Sequence, residues 1–258
     1  MDLGLKGRRA LVLGSTRGLG RAIAGVLAAE GATVATSGRK QADADAAARE
    51  IGGGAKGFAL DLGDPASVAA AADKVIADLG GIDILVNNTG GPPPTPLADV
   101  TPDLWLRQFQ VQFLSLSELT RKALAGMRER KWGRVLISLS SGAEQPIPNL
   151  GMSNTLRGAL IPWAKTLSNE VGADGVTVNL ILPGRIHTER VDELDVSTSQ
   201  RSGKSIDQVR AESRATIPLG RYGTVEEYAS VAAFLVSDRA GYMTGCQIRV
   251  DGGYIRGV

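Results

Sequence analysis

Three groups of residues in this 258-residue chain are of types and at spacings that could do chemistry. The first is a glycine-rich run, Gly14-Ser15-Thr16-Arg17-Gly18-Leu19-Gly20. Glycines so spaced allow a sharp turn, let backbone N–H groups come close to a phosphate, and let a helix start tight against a strand. The second is a basic pair, Arg39-Lys40. A guanidinium there can fork two hydrogen bonds onto a further phosphate. The third is a hydroxyl run, Ser138-Leu139-Ser140-Ser141, with the only histidine, His187, farther along. Serine hydroxyls can orient a reacting oxygen, and histidine ordinarily titrates near neutral pH.

These groups need a scaffold, and the hydrophobic pattern supplies one. Short apolar runs at residues 10–13, 33–36, 57–60, 82–86, 135–139, 176–181 and 247–250 read as strands. Longer helical patterns fill 18–30, 41–51, 65–79, 102–131, 152–171 and 225–236, with Pro162 expected to kink the fifth of them. Asp64-Pro65 is a helix start signal, and Gly31 and Gly80-Gly81 are stops. Strand–helix alternation predicts a single doubly wound α/β domain over residues 1–258: a Rossmann-type parallel sheet of about seven strands with helices on both faces. A barrel of eight such units needs one more strand than the pattern offers. Residues 188–215 are polar and charged with helical patches, and read as a substrate-side flap.

Composition narrows the functional classes. The chain is 43% hydrophobic and 22% charged, with a net charge of +2, which gives no reason to expect nucleic acid or a membrane surface as partner. A single cysteine, Cys246, allows no internal disulfide, and the N-terminus has no apolar signal core. A cytoplasmic protein is expected.

The glycine loop follows the first strand and opens the first helix, the context in which it binds a dinucleotide pyrophosphate rather than only turning the chain. No Gly-Lys-Ser/Thr follows, so a nucleoside-triphosphate loop is excluded. NAD-binding chains place a carboxylate at the end of the second strand, for the ribose 2′-hydroxyl. Here that place reads Ser37-Gly38-Arg39-Lys40, and the first carboxylate is Asp43. Arg39, with Arg17 and Lys40 nearby, favours the 2′-phosphate of NADP(H), with NAD(H) as the lesser possibility.

With these motifs the chain resembles the short-chain dehydrogenase/reductases, in particular their 3-oxoacyl-carrier-protein reductase-like members. The GxxxGxG loop, Asp61-Leu62 after the third strand, Asn87-Asn88-Thr89-Gly90 after the fourth, Pro183-Gly184-Arg185-Ile186-His187-Thr188 after the sixth and Asp251-Gly252-Gly253 carry the resemblance in order along nearly the whole chain. It implies that Ser15, Thr16 and Leu19 lie along the pyrophosphate and that Asp61 and Leu62 contact the adenine. It also implies that Asn88, Gly90, Pro183, Gly184, Ile186 and Thr188 line the rest of the cofactor. A homotetramer is implied as well, paired through the two long helices and the region 242–254.

The family's catalytic Asn, Ser, Tyr and Lys are a different matter. Ser140 matches the serine, but Gln112 stands at the Asn, Ser153 at the Tyr and Arg157 at the Lys. The flanking residues align without gaps, and no tyrosine occurs before Tyr222. A serine hydroxyl has far too high a pKa to replace an activated phenol, and a guanidinium does not easily release its proton, but Arg157 can still bond the cofactor's ribose hydroxyls and place positive charge near a developing alkoxide. His187 is the titratable candidate near the nicotinamide, and Glu144 a second one just past Ser140.

Two functions follow as expectations. One is an NADP(H)-dependent oxidoreductase that reduces a small carbonyl or oxidises an alcohol through an altered proton relay. The other is a non-catalytic NADP(H)-binding sensor or structural partner. A methyltransferase shares the sheet but explains neither Asn87-Asn88 nor Arg39.

Overall fold

The computed structural model describes residues 1–257. Seven strands, β1 (Arg9–Val12), β2 (Thr33–Gly38), β3 (Lys56–Ala59), β4 (Ile84–Asn88), β5 (Gly133–Ser138), β6 (Val176–Pro183) and β7 (Gln247–Val250), form one sheet in the order β3-β2-β1-β4-β5-β6-β7. Every neighbouring pair is parallel. A parallel sheet covered on both faces calls for continuous apolar strands, and Ile84-Leu85-Val86 and Val135-Leu136-Ile137 are of that kind, all buried.

The helices are α1 (Gly18–Ala29), α2 (Gln41–Ile51), α3 (Pro65–Leu79), α4 (Pro102–Phe109), α5 (Ser115–Glu129), α6 (Gly151–Val171), α7 (Glu189–Ser202), α8 (Ile206–Ala215) and α9 (Val225–Leu235). On one face Leu11, Val135 and Ile137 pack against α3, α5 and α6 through Val68, Leu116, Leu119 and Leu160. On the other, Ala10, Val12, Ile84 and Leu136 pack against α1 and α9 through Ile23, Leu27 and Tyr228. Each such large apolar side chain contributes roughly 1.5–3 kcal/mol when fully buried. That packing fixes the strand ends from which the site is built.

The element boundaries differ from expectation where side chains override local pattern. The fourth strand runs to Asn88 rather than Val86, because Asn87 and Asn88 pair with Ile137 and Ser138 of β5. The single helix expected over 102–131 is interrupted by a π-helical turn at Gln110–Leu114. There Ser115 Oγ donates to Leu62 O at 2.6 Å and accepts from Gln110 Nε2 at 3.0 Å, anchoring the widened turn to the turn after β3. Pro162 does not interrupt α6, and it stands on that helix's exposed side. The segment expected as a flap is the capped helix pair α7 and α8. Thr188 Oγ1 caps α7, and Ser205 and Gln208 form a capping box on α8. Among the described residues no helix is long and apolar enough to cross a membrane.

Candidate active site

β1 and β4 are neighbours whose connections leave in opposite directions, to β2 and to β5. Their carboxyl ends therefore open a crevice, the place where a doubly wound sheet takes its ligand. The glycine loop lies at this point. Gly14 and Gly18 both have φ of +57°, which a side-chain-bearing residue rarely adopts. A Cβ on Gly20 would collide with Gly14 O, whereas one on Gly18 would meet nothing nearer than Thr188 Cγ2 at 3.9 Å. The loop is thus tight behind and open in front. The start of α1 carries no side-chain cap, so its first N–H groups and the positive end of its dipole are left for an anion.

Neighbouring side chains brace this cradle. Ser15 Oγ donates to Val12 O at 2.8 Å and accepts from Ser37 N at 2.8 Å, tying the loop to β1 and β2. Asn88 Nδ2 donates to Leu13 O at 3.2 Å and Gly14 O at 3.5 Å, so it holds the loop from the β4 side. Gly38 leaves room for Thr16, whose Cγ2 would lie 2.5 Å from an added Cβ. Immediately beyond, Arg39 and Lys40 are exposed and have no carboxylate in ion-pair reach among the described residues. Arg17 instead reaches across to α7, with Nη1 2.9 Å from Glu189 and 3.6 Å from Glu193.

The other residues expected to contact the cofactor have partners of their own or open space in front of them. Asp61 is exposed and closes the turn after β3 by accepting from Gly63 N at 2.9 Å, while Leu62 packs against the core. A Cβ on Gly90 would meet no atom within 4 Å. Pro183 ends β6, and Gly184 lies so near β7 that a Cβ would meet Asp251 Cα at 2.6 Å. Ile186 is buried and bridges to Gly223. The hydroxyl of Thr188 caps α7 by accepting from Val191 N at 3.4 Å.

The residues expected to carry the chemistry stand on or just after β4, β5 and α6. Ser140 follows β5, and its Oγ accepts from Gly142 N at 3.1 Å. Ser153 and Arg157, one turn apart on α6, are both buried. Arg157 Nη1 donates to Ser138 O and Nη2 to Thr89 O, each at 3.0 Å, so the guanidinium bridges the ends of β5 and β4. Among the described residues no carboxylate pairs with it, and burial pushes its pKa down to about 10, which leaves it charged at neutral pH. Gln112, on the π-turn, is fully buried. Its Nε2 donates to Gln108 at 3.3 Å, and its Oε1 has no partner. An orphan acceptor of this kind fits a bound water or a ligand donor.

Two titratable candidates have other partners. His187 is mostly exposed, and its Nε2 lies 3.5 Å from Asp192 of α7. Glu144 is neither free nor solvated: Arg249 Nε donates to it at 2.6 Å, joining the loop after Ser140 to β7. The sequence reading missed Tyr228. Its hydroxyl shares a 2.9 Å hydrogen bond with Ser138 Oγ at complete burial, and that burial pushes its pKa up. A tyrosine on an amphipathic helix reads simply as core, so only the 90-residue contact with Ser138 exposes it.

The comparisons with known proteins agree with this geometry. Residues 14–255 match the family described as enoyl-(acyl carrier protein) reductase. The chain is 35% identical over 253 residues to the 3-oxoacyl-[acyl-carrier-protein] reductase FabG of Escherichia coli (strain K12), covering 97% of this chain and 98% of that protein. It is 31% identical to the L-sorbose reductase of Gluconobacter frateurii, solved with NADPH and L-sorbose, with a TM-score of 0.94 and all of both chains covered. A gluconate 5-dehydrogenase from Burkholderia cenocepacia J2315, solved with NADP and tartrate, superposes with a TM-score of 0.89 at 29% identity, over 100% of this chain and 98% of that one. With the seven-stranded parallel sheet, the open glycine cradle and this full-length similarity, the chain belongs to the short-chain dehydrogenase/reductase family of NAD(P)-dependent oxidoreductases.

Proposed function

We propose that the protein reduces a small carbonyl compound, or oxidises the corresponding alcohol, with NADP(H) and without the family's phenol–ammonium pair. The observation that carries this reading is the coexistence of an intact cofactor cradle with a buried Arg157, charged at neutral pH and bonded to the end of β5 just before Ser140. NADPH in the two solved relatives' crystals, or its oxidised form, supports the cofactor, as do the exposed, unpaired Arg39 and Lys40. In the proposed roles, the first N–H groups of α1 hold the pyrophosphate, Arg39 reads the 2′-phosphate and Asp61 the adenine. The bound dinucleotide supplies the hydride.

The chain's own residues handle the oxygen and its proton. Ser140 donates a hydrogen bond to the substrate oxygen and orients it. Arg157, fixed by two strand-end carbonyls, places positive charge near the oxygen as negative charge develops there. Ser153 lengthens the hydroxyl path, and Gln112 Oε1 holds a water from which the proton is replenished. His187 faces the lid carboxylate Asp192 and plays no part in this relay.

Offered NADPH and a panel of ketoses, ketones and 3-oxoacyl thioesters, the purified protein is expected to consume NADPH, followed optically. Ser140→Ala should lower kcat/KM by about 100-fold. Because Ser140 and Ser153 do not titrate and Arg157 holds its proton until about pH 10, the rate should stay flat from about pH 6 to 9 and decline only above that. A bell centred near pH 7 that vanishes in His187→Asn would overturn the serine–water relay. Tight NADPH binding with no turnover of any compound would instead favour the second reading, a non-catalytic sensor, which the missing phenol alone supports.

The same reading includes a homotetrameric, cytoplasmic protein whose flap, α7 and α8, covers the substrate. Leu106, 69% exposed, and Leu114, 45% exposed, border Phe109 and Phe113, which stack at 5.1 Å. That face suits a second copy of the chain, and sedimentation velocity would refute the assembly if it returned a monomer.

A further inference from the structure

Arg17 belongs to the glycine loop, yet its guanidinium is bound to α7, the first helix of the flap, which serves as a lid over the crevice in the reading above. Nη1 lies 2.9 Å from Glu189 and 3.6 Å from Glu193, both in the first turns of α7. This pairing crosses the mouth of the cofactor crevice, since Thr188, the cap of α7, also stands in front of Gly18. On its other side Arg17 borders a hollow of about 280 Å³ between α1 and α2, lined also by Thr16, Arg21, Asp43, Ala47 and Glu50. Thr16 in turn packs on Gly38, directly before Arg39. One long, exposed side chain can therefore turn either to the lid carboxylates or toward the basic end of β2.

We propose that Glu189 and Glu193 compete with the cofactor's 2′-phosphate for Arg17, so that the flap, α7 and α8, tempers the protein's selectivity for NADP(H) over NAD(H). The proposal rests on the reading that the crevice takes NADP(H). The 2′-phosphate carries more charge than a carboxylate and offers more acceptor oxygens, so it draws Arg17 away from α7. NAD(H) has no such group and leaves the pair closed. A ligand shifts a two-state element only by its differential affinity for the states, and here the 2′-phosphate is that difference.

The flap, α7 and α8, is also held by contacts that do not involve Arg17. Asp195, fully buried, accepts from Arg185 Nη1 at 2.6 Å and from Tyr222 OH at 3.1 Å, and Arg210 Nη2 donates to Asp192 at 2.7 Å. Loss of the Arg17 pairs therefore loosens only the start of α7 around Glu189, while Asp192 and Asp195 keep the helix docked. The two pairs are exposed, so their removal should have a modest effect.

The test measures dissociation constants of NADPH and NADH by calorimetry on the full chain and on Glu189→Gln/Glu193→Gln. The substituted residues lie on the surface, and a thermal melt checks that the variant folds. NADPH should bind about two- to five-fold tighter to the variant, with NADH unchanged. In an Arg17→Met background the same double substitution should change neither constant, because the contested group is gone. Hydrogen exchange at residues 189–193 should be faster with NADPH bound than with NADH. Equal changes for both cofactors, no change for either, or an effect that persists without Arg17 would overturn the competition. Failure of the underlying cofactor reading shows separately, as a wild-type chain that binds NADPH no better than NADH.

Discussion

Ser153→Tyr combined with Arg157→Lys should raise NADPH-dependent carbonyl reduction by about 100-fold or more, the usual worth of a well-placed general acid. Residues 153 and 157 lie one helical turn apart on α6, so a phenol and an ammonium placed there share a face, the one from which Arg157 reaches the end of β5. A nearby ammonium lowers the phenol's pKa and brings it within range of a proton donor at neutral pH. Lysine at 157 also frees one of the two strand-end carbonyls, Ser138 O or Thr89 O, that the guanidinium now satisfies together. The control is Ser153→Phe/Arg157→Lys, which matches the bulk and lacks the hydroxyl. Steady-state kinetics on all three proteins should show a gain only with tyrosine. A gain with phenylalanine too would assign the effect to cleft shape, and no gain in either would mean that the substrate pocket has diverged along with its catalytic residues.

Arg39→Glu should weaken NADPH binding by about 2 kcal/mol, roughly 30-fold, and leave NADH nearly unaffected. The guanidinium is exposed and unpaired at the end of β2, so its loss leaves no buried charge behind and little stability is at stake. The carboxylate would repel a 2′-phosphate and could accept from a ribose 2′-hydroxyl, which shifts selectivity in one direction from both sides. Titrations of both cofactors would check this, and an equal loss for each would rule out the 2′-phosphate role. This prediction and the Arg17 competition are separable, because residues 39 and 189 act on the same phosphate through different cations.

The scaffold was legible because it is repeated local chemistry. The helix at Gln41–Ile51 and the strand at Gln247–Val250 fall where periodicity puts them, and the helix at Pro65–Leu79 begins at Asp64, whose carboxylate accepts from Ala66 N at 2.9 Å. Apolar strands alternating with capped amphipathic helices leave few arrangements other than a parallel sheet. The glycine spacing similarly implied a sharp turn, which the chain makes with positive φ at Gly14 and Gly18. The flap's two helices were less legible, since their residues are polar and only the caps at Thr188 and Ser205 mark their starts.

Sequence alone determined the family's sheet, the position of the cradle and the absence of a tyrosine where the family keeps one, because each depends on residue types within a turn or two of one another. Tertiary structure decided the partners: Arg157 on two strand ends, Tyr228 on Ser138, Glu144 on Arg249, Arg17 on the lid, and the orphaned oxygen of Gln112. Most of these contacts join residues far apart in the chain, brought together only when the helices close over the sheet. A charged side chain can reach several acceptors, and only the folded positions of those acceptors select one.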